Sequence, residues 1–328
     1  MNKVFSISLI VVLFANISSG VFAQEGKSVF DFLKLPYSVR ASALGGTNIS
    51  VVEDDPSLVF QNPGLLGPEM DKGLNVTYLG YLADINAASI IYTKAAGEEG
   101  AYGIGINYLN YGNIKETTKE NVYLGDENVK DIGINGFYAH SITDRIRGGV
   151  CVKFIYSSFF EYTSIGIGVD LGLSYYNSDN DLSLGLTAKN LGRQIKTYHE
   201  ERAPMPWDVQ FGLTKRLAHA PIRLSGTVVQ LNKWQTYDLM GYKDPFVKNF
   251  FKHFIFAADF TLTESFWVGI GYNVKTSADM SLEQGNKLGG FSGGAGIRVR
   301  SFEVGASVGK YHPSGTSLMI SLTNFFGR

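Results

Sequence analysis

From Ser164 to Tyr175 the chain reads SIGIGVDLGLSY, so Ile165, Ile167, Val169, Leu171, Leu173 and Tyr175 alternate with Ser164, Gly166, Gly168, Asp170, Gly172 and Ser174. Successive side chains of a strand point to opposite faces, and this stretch predicts a strand with one apolar face and one small or polar face. The split recurs. Tyr102, Ile104, Ile106 and Tyr108 oppose Gly103, Gly105 and Asn107, while Phe266, Val268, Ile270 and Tyr272 oppose Gly269, Gly271 and Asn273. Fourteen stretches of this kind are predicted, over 74–81, 86–95, 100–110, 130–141, 146–157, 163–176, 181–190, 206–217, 221–231, 253–263, 266–274, 290–299, 301–310 and 316–326. A tilted strand that crosses a bilayer needs about 9–11 residues, whereas strands of soluble proteins average about 5–6. These stretches match the first length.

The connections carry a second signal. Those after even-numbered strands are short, at 96–99, 142–145, 177–180, 218–220, 264–265 and 300, and the long ones, 111–129, 191–205, 232–252 and 275–289, all follow odd-numbered strands. Outer-membrane barrels have short periplasmic turns and longer external loops. The pattern therefore predicts an all-β protein: a fourteen-stranded antiparallel transmembrane barrel in the outer membrane, with both termini periplasmic. On the apolar face Tyr78, Tyr92, Tyr102, Tyr108, Tyr156, Tyr175, Trp207, Tyr272 and Phe326 fall near strand ends, where aromatic rings meet the bilayer interfaces. The last strand finishes Asn324-Phe325-Phe326-Gly327-Arg328, which resembles the C-terminal aromatic signal of outer-membrane proteins. A soluble β-sandwich would alternate too, but it accounts for neither the strand length nor the loop parity.

Composition agrees. The 328 residues include 38 Gly, 22 Phe and 18 Tyr, and only 18% are charged. A net charge of −1 gives no electrostatic reason to expect nucleic acid. The mean hydropathy is +0.01, too low for a bundle of membrane helices. Residues 1–23 read as a secretory signal peptide: Lys3, then an apolar run from Val4 to Ile17, then small residues before Gln24. Cys151 is the single cysteine, so no disulfide within the chain is available.

Residues 24–72 do not alternate and precede the barrel, 73–328. About fifty residues of mixed apolar and loop character suggest a plug, because a lumen of this strand number would otherwise be a water channel. The stretch carries Leu35-Pro36, then Ser38-Val39-Arg40-Ala41-Ser42-Ala43-Leu44-Gly45-Gly46, then Asp54-Asp55-Pro56-Ser57-Leu58 and Asn62-Pro63-Gly64-Leu65-Leu66. A short helix or turn is expected over 35–44, broken by Gly45-Gly46. These motifs resemble the N-terminal region of the PorV/PorQ family, FadL-like barrels of the Bacteroidetes type IX secretion system. Gly64 departs from the pattern, since Ala or Ser more commonly follows Asn-Pro. The resemblance implies a plugged barrel that belongs to the attachment complex at the cell surface. Its partners there would be a PorZ-like protein, with PorU and PorV as further members.

The chain shows little chemistry. Ser307-Val308-Gly309-Lys310, Ser178-Asp179-Asn180 and Lys275-Thr276-Ser277 are pieces of a penicillin-binding set, but S-x-x-K serves that chemistry on a helix, and on a strand a spacing of three places Ser and Lys on opposite faces. The five histidines are scattered with no metal-ligand spacing, so no enzyme activity, metal or cofactor is expected. Inward Arg147, Lys153, Asp170, Asp259, Arg298 and Arg300 are candidates to pair with Glu53, Asp54 and Asp55, or to stand solvated in the lumen. The loop 232–252 holds Trp234, Tyr237, Tyr242 and Phe246 among lysines, a mixture suited to protein contact. With 111–129 and 191–205 it is the candidate partner-binding surface. The rival function is a FadL-like transporter of hydrophobic small molecules, which requires an apolar conduit past the plug.

Overall fold

A computed structural model describes residues 28–82, 84–117, 123–198, 201–237, 242–263, 265–280, 288–312 and 315–327. The expected signal peptide lies outside the described residues. The strands are β1 (Gly73–Leu82), β2 (Ile85–Ala96), β3 (Gly100–Thr117), β4 (Tyr123–Thr143) and β5 (Ile146–Phe159). They continue as β6 (Tyr162–Asn177), β7 (Leu182–Lys196), β8 (Asp208–Arg216), β9 (Ile222–Val228) and β10 (Phe254–Thr263). The last four are β11 (Phe266–Asn273), β12 (Phe291–Val299), β13 (Phe302–His312) and β14 (Gly315–Phe325). Each pairs antiparallel with its sequence neighbours, and β1 pairs with β14 to close the barrel, with Val76 opposite Leu322 and Tyr78 opposite Ile320. The fourteen-stranded antiparallel transmembrane barrel is thus the architecture of the chain.

The alternation settles which face is which. Val76, Tyr78, Ile104, Ile134, Val152, Phe154 and Leu173 are exposed on the outside of the wall, while Asn75, Thr77, Ser89, Asn107, Asn135, Cys151 and Ser157 are buried on the inside. Lipid is the only medium in which such an apolar exterior is at rest. Tyr102, Tyr138, Phe302 and Phe326 are exposed toward the short-turn end of the wall, and Tyr78, Trp207 and Phe291 toward the long-loop end. These are the two aromatic girdles.

Four connections differ from expectation. Much of 111–129 is a two-stranded ribbon that carries β3 and β4 upward, with Asn113 opposite Asn128 and Thr117 opposite Tyr123. The polar composition of this stretch removes the lipid-facing alternation, so it reads as a loop although its backbone pairs. Likewise β7 continues to Lys196, past a bulge where Asn190 takes a positive φ of 57°. That bulge turns consecutive residues, Lys189 and Asn190, into the lumen and breaks the period. Two long connections contain short helices: α2 (Phe246–Lys252) between β9 and β10, and α3 (Val274–Met280) after β11.

Residues 28–72 lie within the ring of strands. Their contacts run around the wall: Ser38–Ala43 against β11 to β14, Ser50 against β8, Asn62–Gly64 against β5 and β6, and Met70 against β2. The segment also runs along the barrel. Val29 N donates to Pro204 O in the β7–β8 connection at 3.0 Å, in the long-loop half, whereas Phe326 N donates to Lys72 O at 3.1 Å at the short-turn end. The single short helix here, α1 (Val39–Ala43), is shorter than the 35–44 allowance because Pro36 keeps the chain extended before the cap at Ser38.

Close approach explains where the wall lacks side chains. A Cβ on Gly149 would collide with the Pro63 carbonyl, and one on Gly172 with Asn62 Oδ1. Substituting Gly149→Ala should unseat this part of the segment at a cost of about 1–3 kcal/mol from overpacking. The measurement is the urea midpoint of the folded barrel in detergent, with unchanged stability counting against the seat.

Candidate functional site

The motif stretches each build a local turn whose cap is the named residue. Ser38 Oγ accepts from Ala41 N and starts α1, and the helix stops at Gly45 and Gly46, whose φ values of 95° and 90° are left-handed. Gly45 is fixed twice over, since a side chain there would also run into Ile255. Asp55 Oδ1 accepts from Ser57 N at 2.9 Å and caps a 3-10 turn over Pro56–Phe60. Asn62 Oδ1 accepts from Gly64 N at 2.9 Å and caps the next, over Pro63–Leu65. Proline at the first turn position suits both, because no N–H is needed there. Asn62 Nδ2 then donates to Ile49 O at 2.9 Å and Leu173 O at 3.1 Å, tying the turn to the segment and to β6. Leu35 packs half-buried on the core, and Pro36 is buried beside it.

Arg40, third in its motif, is the centre of the site. It is 1% exposed, and its Nη2 lies 2.7 Å from Glu53 Oε1 and 3.4 Å from Asp259 Oδ1. Arg223 of β9 approaches the same two carboxylates, at 2.5 Å from Glu53 and 3.0 Å from Asp259. Two guanidiniums and two carboxylates therefore form a neutral quartet, half from the segment and half from the wall. The Arg40 guanidinium sits 4.0 Å from the ring centroid of Trp267, which supplies a π face where Nε and Nη1 have no hydrogen-bond acceptor. Trp267 Nε1 donates to Glu303 at 3.2 Å, and Arg298 bridges Glu303 at 2.6 Å and Asp54 at 2.7 Å. Five strands, β9 to β13, meet the segment through this one network.

Not every expected pairing forms. Arg298 does pair with Asp54, but Asp259 pairs with Arg40 and Arg223 rather than facing the acidic stretch. Arg147 binds Glu69 at 2.7 Å, and Lys153 binds Asp170 at 2.7 Å within the wall. Arg300 lies in the β12–β13 turn with a φ of 55°. Sequence reasoning passed over Arg223, although it shares the inward parity of Ser225 and Thr227.

The charges around Asp55 do not balance. Asp54 and Glu303 bind Arg298, and Asp55 and Glu53 line the same cleft. Burial first, then the charge of Glu303, pushes the Asp55 carboxyl from 3.8 up to about 7, against hydrogen bonds from Ser57. Arg223 and Arg40 act in the opposite direction on Glu53 and hold it below its ordinary value despite burial.

Of the candidate partner loop, Trp234, Tyr242 and Phe246 are exposed, whereas Tyr237 is half-buried and pairs by backbone with Lys243. Trp234 stacks on His253 with ring centroids 4.6 Å apart. Ser178–Asn180 sits in the β6–β7 turn and Lys275 on α3, at opposite ends of the barrel, so these penicillin-binding fragments do not converge.

No protein-family model matches the sequence, and no curated protein matches it. Solved structures do. The toluene transporter TbuX of Ralstonia pickettii superposes with a TM-score of 0.53 at 13% identity, covering 91% of this chain and all of that one. A FadL homologue of Pseudomonas aeruginosa gives 0.52 at 12% identity, over 88% of this chain and 98% of its own. The toluene transporter TodX of Pseudomonas putida gives 0.54 at 11% identity, over 88% and 97%. The chain has the FadL-like barrel fold.

Two outcomes follow. Arg40→Met leaves two buried carboxylates with Arg223 alone, and removing one partner of a buried pair costs about 3 to 5 kcal/mol. Residues 28–72 should then be cut by protease in the folded barrel. Asp55 has its carboxyl raised by folding, so its contribution to seating is fully present below about pH 4 and falls as pH rises toward 7. Protection of the segment should decline over that window, and Asp55→Asn should flatten the slope.

Proposed function

We propose that the protein is a non-enzymatic outer-membrane component of the type IX secretion system, a PorQ-like member of the PorV/PorQ family that docks a surface partner in the cargo attachment complex. The observation that carries this reading is the seating of the motif-bearing segment. Each motif residue that resembles the family closes a turn, fills the lumen or ties the segment to the wall. The short-turn end, with the C-terminus and the entry to β1, would face the periplasm. The long connections would then be external, with a PorZ-like protein as the partner and PorU and PorV as further members of the assembly. The segment acts as the plug.

A second reading keeps the protein as a carrier of hydrophobic small molecules, and the fold likeness to TbuX and TodX favours it. Against it stands the packing between the plug and the wall. The space between Leu33, Tyr37, Phe60, Phe137 and Lys153 has a volume of about 10 Å³, which holds no more than one water. The cleft beside Asp54, Asp55, Arg298 and Glu303 has about 100 Å³ and is walled by charge.

Affinity isolation of the tagged protein from outer membranes should recover the attachment-complex proteins, and deletion of the gene should release cargo from the cell surface. Cargo that stays attached in the deletion strain, together with loss of growth on a hydrophobic nutrient, would establish the carrier instead.

A further inference from the structure

Helix α2 is amphipathic in the reverse sense for a loop that covers a barrel mouth. Its polar side faces the protein. Asn249 Oδ1 accepts from Thr236 N at 2.7 Å and from Thr236 Oγ1 at 2.8 Å. Lys252 is buried, with Nζ 2.7 Å from Asp244 and 2.8 Å from Asp279 of α3. Lys248 reaches Asp244 at 2.8 Å. The other side is apolar and bare: Phe246 is 75% exposed, Val247 65%, and Phe251 also stands in the open. At 100° per residue, Phe246, Val247, Phe250 and Phe251 share one arc of about 140°, and Lys248, Asn249 and Lys252 share the rest.

That arc does not end with the helix. Phe250 and Phe251 both touch Phe254 at the start of β10, with ring centroids at 5.0 Å and 6.3 Å. Phe254 stacks on Phe256 at 5.8 Å, and Phe256 belongs to the lipid-facing row of β10. A continuous aromatic ladder therefore rises from the bilayer-facing wall onto the helix.

We propose that α2 is a membrane-interface helix, seated with Phe246, Val247 and Phe251 among the lipid acyl chains of the leaflet at the long-loop end. The occupant of this face is lipid, because the face is continuous with a surface that lipid already covers. The pinned polar side leaves the helix no second way to bury these rings, since three lysine–aspartate contacts and the Asn249 bonds hold it to its own loop and to α3. An interfacial helix of this kind buries its apolar face about 5–10 Å into the headgroup and acyl boundary. The same helix removes Phe246 from the candidate partner-binding residues and leaves Trp234 and Tyr242 to that role. The inference depends on the transmembrane barrel and not on whether the protein serves secretion or transport.

The test uses the full chain refolded into protein-free vesicles of phosphatidylethanolamine and phosphatidylglycerol. Nitroxide labels are placed through Phe246→Cys, Val247→Cys and Phe251→Cys, each in a Cys151→Ser background and each checked for folding by heat-modifiable mobility. Phe256→Cys on the lipid-facing strand and Asp179→Cys in a short turn calibrate the two extremes. Labels on the helix should lose collisions with a water-soluble nickel complex and gain collisions with oxygen, as at position 256. Labels that match position 179 at all three sites would overturn the proposal. Burial gained only when outer-membrane proteins are added back would also overturn it, in favour of a protein occupant. The three positions test the same face, so failure of one variant to fold leaves two that decide.

Discussion

Closure between β1 and β14 is the constraint from which the rest follows. A strand in a bilayer has no water to satisfy its backbone, so a sheet persists there only when its edges meet. Val76 against Leu322 and Tyr78 against Ile320 close that seam. Fourteen strands then fix a circumference whose interior is too wide for the wall's own side chains to fill. Whatever occupies the lumen must touch strands all around it, and residues 28–72 do so from β2 to β14.

The filling imposes its own rules on the wall. A backbone segment can approach another backbone only where a side chain is missing, which is why Gly149 and Gly172 face Pro63 and Asn62. Elsewhere the inner face mixes apolar side chains packed on the segment, such as Leu79, Ile91, Phe137 and Ile155, with polar and charged ones, and an unpartnered charge held away from water is costly. The wall answers with pairs: Lys153 with Asp170, Arg147 with Glu69, and the quartet of Arg40, Arg223, Glu53 and Asp259. The quartet needs both contributors. Arg40 alone would face Glu53 and Asp259 with one charge against two, and Arg223 restores neutrality. The second group, around Arg298, is left with more carboxylates than cations, and burial together with the charge of Glu303 raises the Asp55 carboxyl to about 7. Its Ser57 contacts still serve as the cap, since a protonated carboxyl keeps an oxygen that accepts.

Two solvents of opposite character made the strands legible in the sequence. Lipid on one face and a polar lumen on the other enforce a strict period of two, and SIGIGVDLGLSY shows it without interruption. Where either solvent is missing the signal fails. The β3–β4 ribbon beyond Asn110 lacks the apolar alternation in its sequence, so its pairing was invisible. At Asn190 a bulge places neighbours on the same side, and the period stopped there although β7 did not. The motif residues were visible as a group, yet their roles were not. Arg40 needed the fold to bring Asp259, which is 219 positions away, to its guanidinium. The same distance hid Arg223, whose only local mark is its inward parity among Ser225 and Thr227. Inward position alone misled for Asp259: it grouped an acid with the candidates for the acidic stretch, whereas Asp259 answers arginines, as its charge requires.

A FadL-like wall leaves function open, because one architecture supports many uses and the site decides among them. Here the site is a lumenal segment locked by charge, and the lock bears on what opens it. Unseating the segment would separate Arg40 from Asp259 and Glu53 from Arg223, so it breaks ion contacts on both sides of the quartet. A ligand shifts such an equilibrium only by its differential affinity for the two states. An uncharged hydrocarbon has no group that replaces Glu53 or Asp259 as a partner for Arg40, so its differential affinity would have to come from apolar burial alone. A contact made at the long-loop surface requires no such opening. The geometry around Arg40 thus sets a condition on any use of the interior: the ion contacts of the segment with β9 and β10 have to be broken or bypassed.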